Sequence, residues 1–144
     1  MPEIQILKVA KAIAVEDINR LLEQLRTDGD ESRGTISELQ EIVKDKNISV
    51  VTLQDKGHIV GIGTLYVMTK FGKKTSHIED VVVDNAYRGQ GLGEKLVRAL
   101  IEEARRRELT SVSLTSRPSR IAANKLYLKV GFQTKETNVY RLKL

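Results

Sequence analysis

The stretch His77–Gly93, His-Ile-Glu-Asp-Val-Val-Val-Asp-Asn-Ala-Tyr-Arg-Gly-Gln-Gly-Leu-Gly, restricts the fold more than any other part of the chain. Residues 77–83 end in three β-branched valines and read as a buried strand. Residues 84–88 read as a turn. Gly89, Gly91 and Gly93 alternate and open an amphipathic helix that runs to about Arg107. Leu92, Leu96 and Leu100 stack along it at four-residue spacing, and Val97, Ile101 and Ala104 widen the apolar face. Arg105, Arg106 and Arg107 sit where cations offset the helix dipole. Ser111–Thr115 reads as a further short strand, so strand, helix and strand make a right-handed βαβ unit with parallel strands.

The rest of the chain supplies the sheet around this unit. Ile4–Ala10 alternates apolar and polar residues as an opening strand. Ala14–Leu25 carries Ile18, Leu21, Leu22 and Leu25 on one helical stripe. A polar loop over residues 28–34 precedes a short helix, Ser37–Lys44, whose Ser37, Glu38 and Glu41 suit an electropositive N-terminus. Ile48–Leu53 and His58–Val67 flank the hairpin turn Gln54–Gly57. Gly61 and Gly63 inside the second of these strands predict a bulge or a close backbone approach. Phe71–Lys74 is another turn, and Thr75–Val83 the central strand. Ala122–Val130 is a last helix, closed by Gly131. Gln133–Lys135 and Val139–Leu144 predict a final antiparallel pair. The expected order is β-α-α-β-β-β-α-β-α-β-β, an α/β (α+β) mixed sheet with helices on both faces.

At 144 residues the chain reads as a single domain, 1–144, long enough for a sizeable core. The most apolar segment, Ile59–Met68, is too short for a bilayer span and holds two glycines, so no membrane association is expected. The first residues carry neither a basic nor an apolar leader, which predicts a cytoplasmic protein. There is no cysteine, so disulfides, thiolate metal sites and a cysteine nucleophile are excluded, and no metal site is expected. The net charge of +5 is compatible with a polyanionic ligand.

Three glycines at a helix start leave several backbone N–H groups facing one point, a ready site for phosphate. Arg88 adds a bidentate fork for oxyanions. A nucleotide P-loop requires Lys-Ser/Thr after the last glycine, and Glu94-Lys95 stands there instead. A dinucleotide fingerprint spaces its third glycine one residue later and places an acid after the next strand. Here that strand ends in Thr115-Ser116.

Arg88-Gly89-Gln90-Gly91-Leu92-Gly93 resembles the Gln/Arg-x-x-Gly-x-Gly/Ala signature of the GNAT superfamily of acetyl-CoA-dependent N-acetyltransferases. Glu79–Val83 followed by Tyr87 looks like that family's central strand. Asn124-Lys125-Leu126-Tyr127 with Gly131-Phe132 looks like its closing helix. The specific motifs span residues 77–132, and the order of elements fits nearly the whole chain. The resemblance implies a GNAT-like acyl-CoA N-acyltransferase fold, acetyl-CoA as co-substrate, and transfer of acetyl to a primary amine by direct attack through a tetrahedral intermediate. It implies that Arg88, Gly89, Gln90, Gly91, Leu92 and Gly93 cradle the pyrophosphate, and that the sheet splays so that pantetheine lies along Val81 and Val83. Asn124 would bond the pantetheine, and the Val81 N–H is the candidate oxyanion donor. Arg117 and Arg120 would reach the adenosine phosphate or form a solvated loop.

An alkylamine of pKa ~10.4 is protonated at neutral pH, so a base is useful. The candidates are Glu79, then His77, with Asp80 beside them. Strict alternation would put His77, Glu79, Val81 and Val83 on one face and Ile78, Asp80 and Val82 on the other. Tyr127 is the candidate acid for the departing thiolate, because a phenol of pKa ~10 keeps its proton at neutral pH. The acceptor is a small-molecule amine or a protein amine. Asp28, Asp30 and Glu31 would favour a cation or simply serve the turn, and Tyr140 and Arg141 would line the site. His77–Asp80 is also similar to glucosamine-phosphate N-acetyltransferases, although the Asn124 segment departs from that pattern. The length and layout are similar to aminoalkylphosphonate acetyltransferases. A homodimer is compatible with all of this. The alternative is a CoA-binding regulatory or sensor module without turnover, against which Tyr127 and Glu79 both weigh. A nucleic-acid partner is not expected, since aromatic residues do not interleave the basic ones.

Overall fold

The computed structural model describes residues 1–27 and 29–144. The elements are β1 (Glu3–Ile6), α1 (Ala12–Leu25), α2 (Ile36–Lys44), β2 (Ile48–Asp55), β3 (His58–Lys70), β4 (Lys73–Val83), α3 (Leu92–Arg106), β5 (Val112–Ser113) and α4 (Ile121–Lys129). A single 3-10 turn, Asn85–Tyr87, links β4 to α3. The sheet order is β1-β2-β3-β4-β5. The first three pairings are antiparallel and β4–β5 is parallel, as the βαβ reading requires. Among the described residues no helix is long and apolar enough to cross a membrane.

The sheet is covered on both faces. Leu92, Leu96, Leu100 and Ala104 of α3 pack on Val51, Leu53, Leu65 and Ile78. Ala14 and Leu21 of α1 and Leu39 of α2 pack on Val50, Ile59, Ile62 and Val82. Leu21, Leu53, Leu65, Leu96 and Leu100 have no exposed surface, and each such side chain contributes ~1.5–3 kcal/mol of burial.

Two features depart from expectation at helix ends and at the C-terminus. The α2 cap is Thr35, not Ser37: Thr35 and Glu38 form a reciprocal capping box, with the Glu38 N–H to Thr35 Oγ1 at 3.2 Å. Thr35 wins because its partner acid stands three residues on. The strands expected over Gln133–Lys135 and Val139–Leu144 are not formed. Residues 133–144 have no regular structure, and Val139, Tyr140, Leu142 and Leu144 are exposed. The sheet's last strand, β5, has only two residues, too short a ladder to pair with and order a following hairpin.

The bulge predicted around Gly61 and Gly63 is present and decides the geometry of β4. Ile62 pairs with Val82 and Thr64 with Glu79. Gly63 therefore stands opposite two residues, Asp80 and Val81. Asp80 takes up the slack with φ of 57°, a left-handed conformation that Asp tolerates better than most residues. A β-carbon on Gly63 would lie 2.6 Å from Leu100 Cδ1, so glycine is what lets β3 and α3 close on each other here.

The substitution Gly63→Ala is expected to destabilise by ~1–3 kcal/mol through overpacking, measured as a fall in the urea midpoint. Combined with Leu100→Ala, which removes the obstructing carbons, the two losses should be less than additive. Full additivity would show that the contact is not what limits the site.

Candidate active site

The bulge also reassigns the faces of β4. Ile78, Val81 and Val83 all pack in the α3-side core, whereas Val82 packs with α1. The extra residue resets the alternation, so His77 and Glu79 lie on the face opposite Val81 and Val83. The expected common face is thus corrected: a one-residue insertion flips every later side chain.

Beyond the bulge β4 loses its parallel neighbour. It meets β5 only at Ser76–Val112 and His77–Ser113, leaving the Ile78–Val83 edge unpaired on that side. On the other side the Asp84 N–H bonds Val60 O at 2.9 Å. By antiparallel alternation, Val82 then also points its polar groups at β3, while those of Val81 and Val83 point away. The sheet is splayed, and this free edge borders a cavity of about 900 Å³.

The cavity continues from Val81–Val83 along Arg88, Gly89, Gly91, Leu92 and Gly93 to Tyr127 on α4, with Leu25 and Thr27 at the end of α1 opposite. Gly91 is the α3 N-cap, at φ of 75° and without a side-chain cap bond. The first bond of the helix runs from the Lys95 N–H to Gly91 O at 3.2 Å. The amides of Leu92, Gly93 and Glu94 therefore have no helical acceptor. A β-carbon added at Gly89 or Gly91 would meet nothing within 4 Å, so both glycines face open space. These donors and the dipole suit a phosphate. Bonds from Lys129 and Arg98 hold the Glu94 pKa below the ordinary value, so it stays ionised, but those two cations balance its charge beside the helix start.

The turn that presents these amides is braced from α1 and β2. Asp84 accepts from the Ala86 N–H at 3.0 Å and pairs with Arg20. Gln24 Oε1 accepts from the Asn85 N–H at 2.9 Å. Burial raises the Asp84 pKa, but the Ala86 amide and Arg20 outweigh it and leave the carboxyl below its ordinary value. The Tyr87 hydroxyl donates to Asp55 Oδ2 at 2.6 Å. Sequence reasoning missed Arg20, Gln24 and Asp84, whose partners lie about 60 positions apart. Arg88 is exposed and donates through Nε to Val83 O at 3.3 Å.

Tyr127 is 6% exposed and packs edge-on against Phe132 at 5.9 Å. Burial pushes its pKa up, and the Arg120 guanidinium beside it pulls back. Neither Arg117 nor Arg120 is a free loop cation. Arg117 bonds Thr27 Oγ1 and Leu25 O, the latter at 3.2 Å, tying the loop before α4 to the end of α1. Asn124 and Gln90 are not among the cavity-lining residues; Asn124 Nδ2 donates to Arg117 O at 3.0 Å.

Glu79 and His77 lie outside the cavity lining as well. They pair with each other, His77 Nε2 to Glu79 Oε1 at 2.9 Å. Asp80 is exposed as a residue, yet partial desolvation raises its carboxyl, and the Glu79 charge raises it further, against an opposing effect of Arg26. Burial and then the Asp80 and Glu79 charges raise the Tyr66 phenol. An acidic cluster thus adjoins the free edge. Asp30 proves to be a turn residue: it accepts from the Ser32 N–H at 2.9 Å and meets Arg26 at 3.4 Å. Asp28 lies outside the described residues. Tyr140 is solvent-exposed, its hydroxyl within 3.2 Å of Asn138 Nδ2, and the tail around it does not reach the cavity lining. Among the described residues, no three or more His, Cys, Asp or Glu are grouped to hold a metal ion.

In this α/β fold a free strand edge leads into a glycine-rich helix start whose bare amides suit a phosphate group. The chain belongs to the Acetyltransferase (GNAT) family, whose sequence profile matches residues 15–132. It is 34% identical over 110 residues to glucosamine 6-phosphate N-acetyltransferase 1 of Oryza sativa, covering 74% of this chain and 65% of that one. It is 41% identical over 86 residues to the glucosamine 6-phosphate N-acetyltransferase of Trypanosoma brucei, covering 58% and 56%. The matches span between 48% and 65% of the length of the first four such relatives. Among solved structures, a Trypanosoma brucei acetyltransferase superposes with a TM-score of 0.79 at 30% identity over 100% of both chains. The Arabidopsis thaliana glucosamine-6-phosphate N-acetyltransferase gives 0.75 at 25% identity, over 97% of this chain and 98% of that one.

Gly91→Val places a β-branched residue at a left-handed position and fills the open cradle. It is expected to abolish CoA binding by calorimetry while the far-ultraviolet circular dichroism keeps its folded form. Retained binding would overturn the assignment of the phosphate site to these amides.

Proposed function

We propose that the protein transfers the acetyl group of acetyl-CoA to a primary amine by direct attack. The observation that carries this reading is the unpaired Val81–Val83 edge running into the bare α3 N-terminus, with the buried Tyr127 lining the same cavity. The amides around Gln90–Gly93 and Arg88 take the pyrophosphate, and the pantetheine bonds the Val81 and Val83 backbone as an added strand. Arg88 holds Val83 O, which fixes the strand end. Asn124 orders the loop through its amide nitrogen and offers its carboxamide oxygen to the pantetheine.

The neutral amine attacks the thioester carbon, forming the C–N bond and an oxyanion that the Val81 N–H stabilises. Collapse breaks the C–S bond, and Tyr127 protonates the leaving thiolate. Arg120 beside that phenol steadies the tyrosinate so formed. The amine proton passes to the carboxylates at the bulge. Glu79 with His77 forms a paired relay, and Asp80, whose carboxyl desolvation and the Glu79 charge raise above its ordinary value, is the alternative acceptor. The acidic cluster favours a cationic amine on a small molecule. The names of the relatives place glucosamine 6-phosphate first in a panel of acceptors, with peptide amines as the contrasting arm. The exposed row Tyr140, Leu142 and Leu144 supports a homodimer, in which a second copy covers it; the mass in solution is the check.

Thiol release from acetyl-CoA across that panel tests the activity. Turnover with an amine is the expected result, and tight CoA binding with no turnover on any amine would favour a CoA sensor instead. Tyr127→Phe should lower kcat by ~10²–10⁴-fold with CoA affinity nearly unchanged; an unchanged kcat would remove Tyr127 from the chemistry. The base must be unprotonated, so the rate should fall as pH drops through the raised Asp80 pKa. Asp80→Asn should flatten that limb of the profile. If Glu79→Gln flattens it and Asp80→Asn does not, the base is Glu79.

A further inference from the structure

A second cavity lies at the opposite end of the sheet from the glycine-rich turn, about 390 Å³ in volume. The α2–β2 turn, the ends of β3 and α3, and the start of β4 meet there. Lys46, Lys74, Arg106 and Arg107 line it, and no carboxylate does. We propose that this cavity is an anion site for phosphate chains, separate from the cavity beside β4.

The frame is fixed before any ligand arrives. Arg107 donates to Ser49 Oγ at 2.7 Å and to Lys46 O, so its guanidinium is held across the end of the sheet. The Val67 N–H bonds Asn47 O at 2.7 Å, and the Thr110 N–H bonds Lys74 O at 2.9 Å. Arg106 is the one lining cation with an acidic partner, Glu103, through Nε at 2.7 Å. Among the described residues Lys46 and Lys74 take part in no ion pair.

The dipole of α3 accounts for basic residues in its last turn, Arg105 and Arg106. It does not account for Lys46 and Lys74, which come from other elements and converge on the same space. Like charges gathered without carboxylates repel one another, and an anion among them removes that repulsion. A chain of phosphates, rather than a lone anion, can meet Lys46, Lys74 and the Arg106–Arg107 end of α3 together.

The test titrates inorganic tripolyphosphate into the full chain, into Gly91→Val and into a Lys46→Glu/Lys74→Glu double variant, by calorimetry. Both lysines are exposed, so the double variant should keep the parent melting temperature. Binding is expected to survive in Gly91→Val and to weaken at least about tenfold in the double variant, with the salt slope reduced by roughly 1–2. Equal affinity of parent and double variant, or complete loss in Gly91→Val, would overturn the proposal. Failure of the acetyl-transfer reading would leave this outcome untouched. A competing single-stranded RNA of about twenty nucleotides identifies the source. Displacement at lower phosphate concentration than tripolyphosphate assigns the site to a nucleic-acid backbone, and weaker displacement assigns it to free polyphosphate.

Discussion

The arrangement of the site depends on one mismatch in the sheet, two residues of β4 set against the single Gly63 of β3. Without it, β4 would continue its alternation and bury Glu79 on the same side as Val81. With it, the strand turns Glu79 to the α1 face and keeps Val81 and Val83 in the α3 core, while Val82 packs with α1. The mismatch exists because Gly63 has no side chain and Leu100 occupies the space where one would go. The core contact of a helix thus sets the polarity of a strand edge. The loss of β5 beyond Ser113 then leaves that edge open to a ligand.

Much of this was legible in the sequence, and the limits were physical. The Leu92–Leu100 stripe and the Val81–Val83 run are strong periodic signals, and both elements stand where the pattern put them. Gly61 and Gly63 flagged an irregularity, but not which strand would carry the extra residue. That choice lies in the left-handed turn at Asp80, and the residue type alone does not distinguish a turn former from a candidate base. Arg20, Gln24 and Asp84 were silent because their bonds join residues about 60 apart, and a one-dimensional pattern carries no such pairing. The tail shows the opposite failure. Tyr140, Leu142 and Leu144 alternate as a strand should, yet a strand is defined by its neighbour, and this one has no partner in its own sheet.

In the proposed reaction Tyr127 joins burial and reactivity in one residue. Its ring is packed on Phe132 and the residue lines the cavity. A phenol held away from water keeps its proton more firmly, which suits a donor but slows its release. The adjacent Arg120 offsets part of that penalty by favouring the anion that remains. The helix that carries Tyr127, with Arg120 as its N-cap, is tied to α3 through Lys129 and Glu94 at 2.7 Å, so the proposed acid and the proposed phosphate-binding turn belong to one mechanical unit.

The bare amides at the start of α3 have a consequence beyond ligand recognition. A helix end that lacks acceptors for Leu92, Gly93 and Glu94 is left incomplete by the chain itself. Whatever anion completes it favours the folded state by RT ln(1 + [L]/Kd). If the proposed phosphate ligand is that anion, resistance to proteolysis rises with its free concentration, which ties the chain's persistence to the supply of its own co-substrate.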